Sequence, residues 1–286
     1  SEERTVAEAL REVGYFTSIS GKWGCGEWLP GHLPMGQGFM HQYGHYAWGI
    51  DYNNYTIPHN APARFAVYDW HRNQQPLHEQ GYSTDLIANE VVRLLATHKE
   101  DQGDNPFFYY VPFNAVHGPL EEIPRYRDKH SKREAAIKCL DDAVGRIVAA
   151  LSQYGFDDNT LIVFSNDNGA IRDNMNAPYR GTKNTNYEGG VRVPCVFHWP
   201  GKLQAGGTNN EMMHITDLYS TFIKIGGGSV TQQRKPDGMD MTLTTGPYHA
   251  RLRRVELDGE VFSETIVDCI HPNRTAARRW DGLVGV

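Results

Sequence analysis

Helix-like and strand-like segments alternate along this chain, and the clearest strands are short, apolar and each followed by a polar loop. That combination argues for βα units wrapped around a largely parallel sheet, because a parallel strand is covered on both faces and needs a crossover before the next one. Thr5-Val-Ala-Glu8 is a capping box that opens a short helix with Val6, Ala9, Leu10 and Val13 on one face, closed by Gly14. Tyr15 to Ser20 reads as a strand, with Gly21-Lys-Trp-Gly-Cys-Gly26 as the loop at its carboxyl end. Ser83 to about His98 has the helical spacing of Leu86, Ile87, Val91, Leu94 and Leu95. An aromatic strand from Pro106 to Pro112 then delivers Asn114-Ala-Val-His117-Gly-Pro119 into a loop. Ser131-Lys-Arg-Glu134 is a second capping box, and the helix it opens runs until Gly155. Further strands are predicted at Thr160 to Ser165 and Val193 to Trp199, and a short helix capped by Thr216 runs to Ile225. Residues 27 to 80, rich in Gly, Pro, His, Asn and aromatics, show no clear period; so long a stretch reads as a functional or elaborated insertion.

Composition narrows the classes. The 286 residues suffice for one large α/β domain or for a domain plus a small appendage. A net charge of −6 with no Lys/Arg block argues against a nucleic-acid partner. No apolar run approaches the roughly 20 residues needed to span a bilayer. No signal peptide precedes Ser1, and a start at Ser-Glu-Glu-Arg without Met reads as processed or lacking its beginning. Cys25, Cys139, Cys195 and Cys269 form no Cys-x-x-Cys, which argues against structural zinc, and Cys139 and Cys195 read as buried small hydrophobes. Asn54-Tyr-Thr and Asn273-Arg-Thr are glycosylation sequons that matter only in a secretory cell.

Chemistry concentrates where strands end. In Thr160-Leu-Ile-Val-Phe-Ser-Asn-Asp-Asn-Gly169, Asp167 and Asn168 offer oxygens of the kind Ca2+ or Mg2+ prefers, although Asn-Asp-Asn-Gly alone is ordinary turn chemistry. Lys22, His117 and Lys183 stand in similar loops, and a parallel sheet gathers such loops at one edge. Two ammonium groups, an imidazole and a divalent ion make a site for a tetrahedral oxyanion, with sulfate and phosphate esters as candidates.

Six stretches in order carry a family resemblance: Gly14-Tyr15 with Gly21-Lys-Trp23, the strand and His loop at 106 to 119, Asp141-Asp-Ala-Val-Gly145, Phe164-Ser-Asn-Asp-Asn-Gly169, Arg180-Gly-Thr-Lys183, and Glu188-Gly-Gly-Val-Arg-Val-Pro194. From about residue 5 to residue 225 the chain resembles a sulfatase of the alkaline-phosphatase-like superfamily, in arrangement closest to arylsulfatases of the N-acetylgalactosamine-4-sulfatase type. The resemblance implies an α/β fold with a mostly parallel central sheet flanked by helices. It implies that Asp167 and Asn168 ligate Ca2+ (or Mg2+), that Lys183 contacts the sulfate and leaving-group oxygens, that Lys22 binds the sulfate or the nucleophile's oxygen, and that His117 binds sulfate or protonates the departing alcohol. It implies a sulfated small molecule or glycan as substrate and a secreted, periplasmic or lysosomal setting.

The chain also departs from the pattern. The family's nucleophile is a formylglycine made in Cys/Ser-x-Pro-x-Arg, and no Cys or Ser here stands in that motif; the nearest, Cys269-Ile-His-Pro-Asn-Arg274, is one residue too long. The family's early acidic pair is absent, leaving Asp167 and Asn168 as about half a Ca2+ shell. Gly24 stands where the family has a His after Gly-Lys-Trp. The reading is therefore of a sulfatase fold truncated at its amino terminus and at its carboxyl end. Residues 1–230 form the α/β domain, and 231–286 form an extension that begins a small carboxyl-terminal sheet subdomain. A missing first strand would expose a sheet edge that a second copy of the chain, in a homo-oligomer, would cover. A noncatalytic homologue that binds sulfated glycans or a protein partner is the competing expectation. A phosphate or phosphonate ester hydrolase would want further Asp and His ligands, of which no convincing pair is found.

Overall fold

The structure, a computed structural model, describes residues 3–57, 67–209, 212–230, 232 and 234–241, with the strand segments 255–257, 260–263 and 282–285. Cys269 and the sequon at Asn273 lie outside these residues. In chain order the elements are α1 (Val6–Glu12), β1 (Phe16–Lys22), β2 (His41–His45), β3 (His71–Arg72), β4 (Gln75–Pro76), α2 (Ser83–Gln102), β5 (Phe107–Tyr110), α3 (Lys132–Gln153), β6 (Thr160–Ser165), α4 (Glu188–Val191), β7 (Cys195–His198), α5 (Ile215–Ile225), β8 (Val255–Leu257), β9 (Glu260–Ser263) and β10 (Gly282–Gly285).

Both capping boxes form. Thr5 Oγ1 accepts from the Glu8 amide at 3.0 Å while the Glu8 carboxylate accepts from the Thr5 amide at 2.8 Å, and Ser131 and Glu134 repeat the exchange at the start of α3. Thr5 also donates to Gln37 O at 2.7 Å, so its hydroxyl fastens α1 to the loop before β2. Thr5→Ala is expected to cost about 1 kcal/mol in a denaturant titration, and an unchanged midpoint would show that the cap carries no stability. At α5 the cap differs from the sequence expectation. His214 is the N-cap, with Asp217 answering its amide at 2.8 Å, and Thr216 lies inside the first turn. An imidazole Nδ1 accepts from an amide as a hydroxyl oxygen does, so the helix starts two residues earlier.

The main sheet runs β4-β3-β2-β1-β5-β10-β6-β7. Its centre is parallel: β1 pairs with β2 and β5, and β10 with β5 and β6. The margins are antiparallel, with β3 and β4 on one side and β7 on the other. The slot between β5 and β6 is taken by β10, and β8 pairs with β9 in a separate two-stranded sheet.

The apolar strands divide their side chains between two cores. Along β5, Phe107 and Tyr109 face a cluster built with Ile87, Val91, Leu94 and Leu95 of α2 and Ala143, Ile147, Ala150 and Leu151 of α3. Phe108, between them, faces the opposite cluster with Ala7 and Leu10 of α1 and Phe222 and Ile225 of α5. Alternation along a pleated strand sends neighbours to opposite faces. A strand apolar at every position therefore requires helices on both sides, and the chain provides two on each.

Strand β2 is invisible to this logic because its buried residues are polar. His41, Gln42, Tyr43 and His45 are all buried. Their partners come from distant elements: Glu90 of α2, nearly inaccessible, accepts from His41 at 2.8 Å, Arg72 at 2.8 Å and Arg93 at 2.6 Å. Burial works against the Glu90 charge, and the hydrogen bonds from Arg93 and His41 overcome it, lowering the carboxyl to about 2. The 27–80 region is thus partly sheet rather than an insertion outside it, its register set by ion pairs instead of hydrophobic period.

Candidate functional site

Because β1, β2, β5 and β6 run the same way, their carboxyl ends share one rim, which is where an open α/β sheet places ligands. Lys22 is the last residue of β1 rather than part of the following loop, and it is in register with His45, the last residue of β2. Its amide donates to Pro112 O, just past β5, at 2.8 Å. Gly21 permits this approach. It has φ +137°, and a Cβ there would lie inside van der Waals contact of the Pro112 carbonyl. The loop after β1 continues against β2, with Trp23 and Gly24 amides donating to His45 O and Tyr46 O, each at 2.9 Å.

Beneath Lys22 is a buried polar group. His45 has no exposed surface, and its Nδ1 donates to Ala47 O at 3.1 Å. Burial pushes this imidazole down to about 4, Asp69 and the Ala47 carbonyl opposing and Lys22 and His71 adding to it. It is neutral near pH 7 and keeps a second positive charge away from Lys22. Asp69 is held by the amides of Tyr46 and Ala47, the latter at 2.7 Å, and by His71 Nδ1 at 3.3 Å.

Tyr110, the last residue of β5, connects the rim across the sheet. Its phenol is raised by burial first, then by Cys25 and Asp167, while the Cys25 thiol is raised by burial and lowered in part by Lys22. Tyr110 thus ends a strand at the same rim as the loops carrying Lys22 and Asp167, with β10 lying between β5 and β6.

The loop after β5 presents His117. Its Nδ1 is 2.6 Å from Gly118 O; a carbonyl can only accept, so this nitrogen carries a proton and Nε2 is left for other chemistry. The ring stands edge-on to Trp48, centroids 5.7 Å apart, and against the backbone of Gly49, where a Cβ would be 3.4 Å from Nδ1. Tyr52 donates to His117 O at 2.8 Å, and Asn114 Nδ2 to Ile50 O at 3.1 Å, which ties the His loop to the one after β2.

Lys183 reaches the rim through a glycine lock. Its amide donates to Ala170 O at 3.0 Å, and the Gly169 amide to Gly190 O at 2.9 Å. Cβ atoms on Gly169, Gly189 or Gly190 would strike carbonyl oxygens of Gly189, Gly181 and Thr185 respectively. The Glu-Gly-Gly motif is thus a packing requirement that brings the Lys183 loop against Gly169 and Ala170, which follow Asp167 and Asn168 in the chain. Among the described residues neither the Lys22 nor the Lys183 ammonium has a hydrogen-bond or ion-pair partner.

For a divalent ion, the donor set fits as far as it extends. Asp167 is exposed and its carboxylate accepts from no described residue; Asn168 donates Nδ2 to Gly169 O at 2.9 Å, freeing its amide oxygen. Among the described residues no group of three His, Cys, Asp or Glu could hold a metal by itself, so these two contribute part of a hard-cation shell. Tyr110, Trp48 and His45 were not singled out by sequence. Only Tyr110 stood in a predicted strand; His45 and Trp48 lie in the stretch without period.

Comparison with known proteins follows the same lines. A sequence model of the sulfatase family matches residues 1–228. Arylsulfatase J of Mus musculus is 34% identical over 250 residues, covering 83% of this chain and 41% of that protein. N-acetylgalactosamine-6-sulfatase of Mus musculus is 29% identical over 263 residues, covering 85% and 48%. The chain spans about half the length of the curated relatives it matches. Among solved structures, Ps i-CgsB in complex with k-i-k-neocarrahexaose superposes with TM-score 0.73 at 29% identity, covering 82% of this chain and 56% of that one. The PsFucS1 sulfatase from Pseudoalteromonas sp. shares the fold, with TM-score 0.71 at 23% identity, covering 95% and 65%.

Proposed function

The chain belongs to the sulfatase family, and from that membership we propose that its rim binds and positions sulfate esters, aryl or carbohydrate, for hydrolysis at a divalent-metal site. The observation that carries the reading is the single rim at which the parallel strands β1, β2, β5 and β6 end, where the Lys22 amide donates to Pro112 O at 2.8 Å and the Lys183 amide to Ala170 O at 3.0 Å, just past Asp167. It supports one anion pocket in place of scattered surface charges. Lys22 and Lys183 bind sulfate oxygens as point charges. His117 would give its Nε2 proton to the departing alcohol oxygen as that S–O bond breaks and the sulfur bonds to the oxygen of the incoming nucleophile, in this family a formylglycine hydrate. Asp167 and Asn168 hold Ca2+ or Mg2+, which when bound neutralises sulfate charge and polarises the ester. The carbohydrate alternative gains support from the relatives, one named for N-acetylgalactosamine 6-sulfate and another solved with a neocarrahexaose.

The expected result is calorimetric binding of inorganic sulfate in the presence of Ca2+, weakened about 10- to 100-fold by Lys183→Ala, the loss of a charge-assisted contact worth about 1.5–3 kcal/mol. Equal binding by wild type and Lys183→Ala would sink the pocket. No Cys or Ser of the sequence stands in Cys/Ser-x-Pro-x-Arg, so 4-nitrophenyl sulfate turnover by this chain alone is expected to be negligible. A robust rate abolished by Lys183→Ala would contradict that.

The second reading is a sulfated-glycan or protein-binding homologue without turnover. Gly24 favours it: with φ +68° and only Lys22 within 4 Å of its Cβ position, the place beside the lysine holds no imidazole. Both readings use the same pocket and separate on turnover by a preparation whose formylglycine has been verified by mass spectrometry.

A further inference from the structure

We propose that Trp48 is the platform for the leaving group, stacking on the C–H face of a pyranose ring while His117 addresses the ester oxygen; this rests on the reading of the rim as a sulfate-ester site. Trp48 follows β2 at the rim and is 55% exposed. An indole this open to water is poorly placed for stability, since its apolar area could be buried. Its position is nonetheless fixed. The ring lies edge-on to His117 with centroids 5.7 Å apart at 73°, and Gly49 beside it has its backbone against the same imidazole.

That separation is about the width of one sugar ring. An ester whose bridging oxygen meets His117 Nε2 carries its carbon framework onto the neighbouring indole. The ligand that fits is amphipathic and rigid. A pyranose has axial C–H bonds with slight positive charge that face the negative π surface, and hydroxyls around its edge that stay in water. A flexible alkyl sulfate would gain the same contact only at the cost of ordering its chain. Trp48 is therefore a specificity-determining residue, acting on affinity for the sugar rather than for sulfate.

The test titrates galactose 6-sulfate, ethyl sulfate and inorganic sulfate into wild type, Trp48→Ala and Trp48→Phe with Ca2+ present, with near-ultraviolet circular dichroism as the folding control. Expected is tighter binding of galactose 6-sulfate than of the other two by wild type. Trp48→Ala weakens the sugar sulfate by about 3- to 10-fold and leaves inorganic sulfate unchanged, while Trp48→Phe retains most of the preference. Wild type that binds all three equally, or a Trp48→Ala that keeps the sugar preference, overturns the platform while leaving the anion pocket standing. Wild type that binds none of the three overturns the pocket reading, and the platform with it.

Discussion

Lowering the pH from 7 to 4 is expected to cost this protein about 3 kcal/mol of folding stability through His45. Burial holds that imidazole at about 4 against an ordinary value of 6.5, a gap worth about 3 kcal/mol at ~1.4 kcal/mol per pH unit. The sign follows from which state takes up the proton. Between pH 6.5 and 4 the unfolded chain protonates this imidazole and the folded protein does not. Stability is full above 6.5 and declines as pH falls toward 4. His98, also lowered by burial, tilts the same window in the same direction. Glu90 acts elsewhere, because its lowered carboxyl is stabilising above its ordinary 4.5 and loses that contribution only as pH falls toward 2. Urea titrations at pH 7, 5.5 and 4.5 of wild type and His45→Gln measure the effect. The variant is expected to show a visibly flatter dependence. Identical slopes would mean that His45 is hydrated or paired when folded.

The second large effect is at Gly190. Its Cβ position is 2.5 Å from Thr182 O and closer still to Thr185 O. Both are backbone atoms, which cannot swing aside as a side-chain tip can. Gly190→Ala must shift the loop that holds Lys183, at a cost of about 1–3 kcal/mol for overpacking. Sulfate binding should fall as far as in Lys183→Ala, because a displacement of about 1 Å removes a contact as surely as deletion does. Gly145→Ala in α3 is the control: nothing lies within 4 Å of its Cβ position, and alanine in a helix is expected to stabilise by about 0.4–1 kcal/mol. A Gly190→Ala protein with wild-type sulfate affinity would separate the glycine lock from the anion site.

Much of the fold was legible because its signals are local. Thr5 with Glu8 and Ser131 with Glu134 announce helix starts from residues three apart, and both exchanges form. Phe107, Phe108 and Tyr109 announce a strand covered on both faces. Strand β2 was not legible, since His41 and Glu90 are 49 residues apart in the chain and nothing in His-Gln-Tyr-Gly-His shows that its polar groups are already partnered. The five proposed site residues were legible as residues at strand ends or in glycine-rich returns. What each touches was not: the contacts found for His117 run to Trp48 and Gly49, from a region that shows no period at all.

The sequence alone determined where strands end and which chemical groups stand there, because caps, pleat alternation and turn residues act over a few neighbouring positions. Only the tertiary structure decided that Lys22 is bonded to the carbonyl just past β5, that His45 lies buried next to Lys22, and that Gly190 underlies the Lys183 loop. Electrostatic coupling and close packing depend on distance through space, and the crossovers of a parallel sheet bring together residues that the chain itself keeps far apart.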